Sequence, residues 1–172
     1  MTFGDFAEGH CFSLEDSELY LGMPKGVKTA EFLLLRPGHS PAVWIVEAKS
    51  SSPRPESQPS FAGFLSDISE KLVNALSLGI AAHLGQHAQD LPAPFREQDL
   101  SKLRFVLILV IKGHKDEWLL PLQDALYQAL RPTTSTWNLG ARSVAVLNEQ
   151  GAHRWGLLQP VEPPRETKDS GS

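Results

Sequence analysis

The stretch AVWIVEAKSSS, residues 42–52, decides the reading of this chain. A run of apolar residues ends in Glu47 and Lys49, and then the chain turns to serine. Strand side chains alternate, so Val43, Ile45, Glu47 and Lys49 share one face, and Trp44, Val46 and Ala48 share the other. A carboxylate and an ammonium therefore leave a buried strand on the same side, at the edge where a sheet opens to solvent.

Working outward, KTAEFLLLR (28–36) reads as a second strand, and PGHSP (37–41) joins the two as a hairpin. If the hairpin turns at Gly38 and His39, Glu31 lies opposite residues 46–47. Residues 11–20 read as a short strand or turn, and MPKG (23–26) breaks the pattern. Beyond the Ser/Pro loop 50–60, Phe64, Leu65, Ile68, Leu72, Leu76 and Ile80 recur at helical spacing. They predict an amphipathic helix over 61–84, with Gly85 as its stop. RFVLILVI (104–111) is apolar without a break, the mark of a strand covered on both faces. A second helix over 117–130 tolerates Pro121 only in its first turn. SVAVLN (143–148) makes a last strand, and 149–158 a terminal helical turn. The expected fold is α/β: a mixed central sheet with an N-terminal hairpin and flanking helices, in three layers. One domain over 1–158 is expected to precede a disordered tail at 159–172.

Composition narrows the function. Net charge is −4, against a general electrostatic grip on nucleic acid, although local patches remain open. A single cysteine, Cys11, excludes an internal disulfide and a cysteine-rich zinc site. The opening MTFGDFAEGH lacks the apolar stretch of a secretory signal, and no apolar run is long enough to span a bilayer. A cytoplasmic protein without membrane attachment is expected. Among the remaining candidates, His83 and His87 are spaced like a metal pair but lack the adjoining Glu of a metalloprotease, and read as surface at a helix end. Trp118, Trp137 and Trp155 read as packing residues.

Glu31 and Glu47 would meet at one end of the hairpin. Two carboxylates so placed repel each other unless a cation lies between them, and hard oxygen ligands suit Mg²⁺ or Mn²⁺. The Lys49 ammonium beside them can hold a water for attack and offset charge on a phosphoryl group. TAEFLLL, VWIVEAKSS, the long helix and the buried strand together resemble the PD-(D/E)XK phosphodiesterase superfamily, the restriction-endonuclease-like fold, over about residues 28–110. The resemblance implies a restriction-endonuclease-like core and metal-dependent cleavage of nucleic acid, DNA first, in a setting such as bacterial defence or repair. Carried over, Glu31 takes the position of the family's Asp, Glu47 that of its second acid, and Lys49 that of its lysine. The chain departs from the pattern in carrying Glu at 31, one methylene longer than Asp. It also departs in lacking, within 1–16, a clear helix before the first strand.

Weaker nucleic-acid contacts are Ser50 and Ser51, as phosphate donors, and Lys115, beyond the C-terminal end of the buried strand. Lys71 either extends the site from the helix or lies on its solvated face, the plainer expectation. Scattered Lys and Arg residues point to a larger partner protein or a homodimer that completes a cleft. Two rivals stand beside the nuclease reading. One is a catalytically inactive module of the same fold, kept for binding or assembly. The other is an unrelated α/β interaction protein in which Glu-x-Lys is accidental.

Overall fold

The computed structural model describes residues 1–89, 91–140 and 142–159; the expected tail, Gln159 apart, lies outside them. The elements run β1 (Cys11–Ser13), α1 (Glu18–Leu21), β2 (Phe32–Arg36), β3 (Ala42–Lys49), α2 (Ser60–His83), α3 (Ala93–Arg96), β4 (Arg104–Ile111), α4 (Asp116–Thr136), β5 (Val144–Asn148) and α5 (Glu149–Arg154). They form one mixed sheet in the order β1-β2-β3-β4-β5. β1, β2 and β3 make an antiparallel meander, whereas β4 and β5 continue parallel to β3. β4 is interior to the sheet, and Leu107, Ile108, Leu109, Val110 and Ile111 are fully buried, as an unbroken apolar run requires.

The two long helices lie on the same face of the sheet, not on opposite ones. Ile68, Leu72 and Leu76 of α2 and Leu122, Leu126 and Leu130 of α4 share one core with Val43, Ile45, Leu107 and Leu109. The strand order supplies the reason. Crossovers between parallel strands are right-handed in nearly all proteins, so two successive crossovers stepping the same way put their helices on one side. The opposite face, with Phe32, Leu34, Val46, Ile108 and Leu147, is covered by a thinner layer: Ala152, Leu157 and Leu158, with Phe3 and Phe6. Phe3 and Leu158 meet in an isolated bridge, and the amide of Gly4 donates to the carbonyl of Leu157 at 2.9 Å.

α2 ends as the sequence expects. Gly85 adopts φ +71°, and the amides of Gly85 and Gln86 return to the carbonyls of Ala82 and Ala81. Within α2, Gly79 lets the helix approach the sheet: a Cβ there would stand 2.9 Å from Leu33 Cδ1. α4 departs from expectation, because it starts at Asp116 and runs to Thr136, leaving Pro121 in its second turn and Pro132 near its end. Both prolines are exposed, and the carbonyls they leave unbonded belong to the exposed Glu117 and Gln128, where water can serve them. No helix of the described residues is long and apolar enough to cross a membrane.

Candidate active site

β2 and β3 pair in the register Phe32↔Val46, so the next step of the ladder sets Glu31 opposite Glu47. Both follow the parity of Leu33, Val43 and Ile45, which face α2. On α2, Ile68, Leu72 and Ala75 are buried, and Lys71 sits between them on the same stripe. Strand alternation and helical spacing thus bring acids and lysines to one place.

Glu47 is the hub. It is 0% exposed; its Oε1 accepts from Lys71 Nζ at 2.9 Å and forms an ion pair with Lys49 Nζ, also at 2.9 Å. Oε2 is buried with no hydrogen-bond partner among the described residues. An unsatisfied buried acceptor costs about 1–3 kcal/mol, and more for a charged group. Glu15, which follows β1, adds a carboxylate oxygen 3.7 Å from Lys71 Nζ. The half-buried Glu31 has its carboxyl pushed above the ordinary range, by burial first and then by the negative charges of Glu15 and Glu47. Lys71 and Lys49 oppose that rise without cancelling it. Burial pulls the Lys71 ammonium downward, but Glu47 and Glu15 outweigh it and raise Lys71 above the ordinary lysine value.

Glu31, Glu47 and Lys49 thus share one end of one face. Lys71, expected on a solvated surface, is instead held by Glu47 with its side chain only 15% exposed, so it is not free to grip nucleic acid. Its neighbour Glu70 does lie outside, 3.4 Å from Lys28. Glu15 was not legible in the sequence, since residues 11–20 show no clear period. It supplies an acid from the segment between β1 and α1.

Ser50 and Ser51 are exposed just beyond Lys49. Lys115 caps α4, with Nζ 4.9 Å from the centre of the Trp118 ring. Arg54 lies over the same ring at 4.9 Å, and His114 meets it edge-on at 5.5 Å. Trp118 is therefore a half-buried platform and not a core residue. Trp137 is 47% exposed and lies outside the core, whereas Trp155, 36% exposed, packs against Trp44 with ring centres 5.3 Å apart.

No match decides the family. No family model matches the chain, and neither a curated protein nor a solved structure matches it.

The chemistry of the donor set bears on a cation. Among the described residues no group of three or more His, Cys, Asp and Glu is arranged to hold a metal ion. Glu47 Oε2 and the Glu31 carboxyl are nevertheless two oxygen acceptors that no ammonium holds. Magnesium commonly binds through one or two carboxylates, keeping water and substrate phosphate for the rest of its shell. The residues present fit that pattern.

Proposed function

We propose that this chain is a nuclease-like domain of the PD-(D/E)XK kind, hydrolysing phosphodiester bonds in nucleic acid with Mg²⁺ or Mn²⁺. One observation carries the reading: a fully buried carboxylate, Glu47, bonds two lysines through one oxygen and leaves the other unpartnered, with Glu31 opposite it. Stability alone does not call for this, because apolar residues of similar volume usually serve a buried site as well or better. Glu31 and Glu47 would hold the metal, which supplies Lewis-acid polarisation of a phosphoryl oxygen and a more acidic water. Lys49, 30% exposed, is the group that can reach both the carboxylate and a water at the mouth. It orients that water and offsets the negative charge that grows on the phosphoryl oxygens. Lys71 fixes Glu47 from behind, so the carboxylate is pre-positioned.

A second reading, the inactive module of the same fold, is favoured by the same Lys71. Its ammonium supplies positive charge to Glu47 at 2.9 Å without any metal. Cleavage assays on DNA and RNA with Mg²⁺ and Mn²⁺, run beside calorimetry of Mn²⁺ binding, separate the two. Cleavage lost in Lys49→Ala supports the nuclease. A wild-type protein that neither binds Mn²⁺ nor cuts any nucleic acid leaves the binding module.

A further inference from the structure

We propose that the cavity between the 52–56 loop and the start of α4 is a subsite for an unpaired nucleotide of the nucleic-acid substrate. The proposal rests on the reading of the Glu47–Lys49 site given above. The cavity has a volume of about 340 Å³, and its walls are largely flat and apolar: Pro53, Pro55, Phe61, Trp118 and Pro121. Its polar groups are cationic or hydrogen-bonding, apart from Glu56. Arg54 and Lys115 both lie 4.9 Å from the Trp118 ring centre, and the Ser52 hydroxyl lies 3.4 Å from His114 Nδ1. Lys115 also lies 4.0 Å from Glu117, so Arg54 is the cation that lines the cavity itself.

An aromatic face flanked by cations suits one base and its phosphate: the ring stacks on the base, and the cations meet the backbone. In the free protein the exposed Arg54 covers the ring. A base that takes its place frees the guanidinium for the adjoining phosphate. A base inside a duplex has both faces stacked, so the cavity selects single-stranded or extruded nucleotides. Its position fits a substrate track. The loops that line it follow the C-terminal ends of the parallel strands β3 and β4, where open α/β sheets bind ligands. From Lys49 the exposed Ser50 and Ser51 lead to Ser52 on the cavity wall, about 10 Å of extended chain.

The test is fluorescence anisotropy of a short labelled oligothymidylate and of a duplex of equal length, both in EDTA so that nothing is cut. The single strand should bind more tightly than the duplex, and Trp118→Ala should weaken it about tenfold or more. Arg54→Glu, on an exposed loop where it leaves the fold intact, should weaken binding comparably and flatten its salt dependence. Failure of the wild type to bind the single strand, equal binding of strand and duplex, or undiminished binding in both Trp118→Ala and Arg54→Glu overturns the subsite. Mn²⁺-dependent cleavage persisting alongside that failure leaves the nuclease reading standing. Trp118-dependent binding without Mn²⁺ binding or cleavage upholds the subsite and overturns the catalytic reading.

Discussion

The two ends of β3 meet the same helix and do opposite things. At its start, Val43 and Ile45 pack with Leu33, Leu76, Ile80 and Phe105 around a gap of about 20 Å³, room for little more than one water. At its finish, the same alternation presents Glu47 and Lys49 to Lys71. Alternation on the strand and spacing on the helix decide which residues meet. Residue type then decides whether the meeting is packing or chemistry. One end removes apolar surface from water at about 25 cal/mol per Å². The other confines charges that solvent would hold more cheaply.

The contrast is sharpest in paired truncations. Glu47→Ala should cost about 3–5 kcal/mol, because it strands the two ammoniums beside a buried hole. At the apolar side, Leu72→Ala should cost about 2–5 kcal/mol. Denaturant unfolding measures both, and a Glu47→Ala cost below about 1 kcal/mol would mean that the carboxylate is not the buried hub. Lys49→Ala comes next. On the nuclease reading, cleavage should fall about 10²–10³-fold while the unfolding midpoint stays near wild type, because this ammonium stands at the open edge. Equal losses of activity and stability would reduce Lys49 to a structural partner. On the nuclease reading, Glu31→Asp, which gives the acid usual in the superfamily the sequence resembles, should raise cleavage a few-fold in a kinetic assay. A fall would show that the longer side chain is the one this site is built around.

The smallest effect is on pH. Glu31 holds its proton more tightly folded than unfolded, so its contribution to stability is complete below the ordinary glutamate value of 4.5. It is lost as pH rises through the raised folded value. Lys71 is raised too, so its contribution fades only above the ordinary lysine range and does not enter this window. Asp67 and Asp99, both held below the ordinary aspartate value, act the opposite way, so the Glu31 part is read as a difference: thermal unfolding in EDTA should show wild type losing stability relative to Glu31→Gln as pH rises through the acid range. A difference that does not change with pH would assign the loss to other groups.

How much of this was legible in the sequence follows from what each pattern encodes. β3 and β4 carry period-two and unbroken apolar patterns, and their observed bounds are those expected. The hairpin fixed the pairing of Glu31 with Glu47, because register follows from where the chain turns. The common face of α2 and α4 was hidden, since it depends on strand order, which no local period records. Lys71 was visible at core spacing yet read as solvated, because a lysine is rarely buried without a partner and the partner lies across the fold. Pro121 was read as tolerable only in a first turn, yet it sits past one, because the Glu117 carbonyl it leaves unbonded is exposed to water.

The thin layer opposite the long helices has a consequence for biosynthesis. Its parts come from residues 3–6 and 152–158, so that side is fully covered only after 152–158 have left the ribosome. Until then Val46 and Ile108, once made, lack that cover, and apolar surface of this kind invites misassociation before folding is complete. The clasp between Gly4 and Leu157 is then the final latch. Its closure joins the two stretches that cover this face.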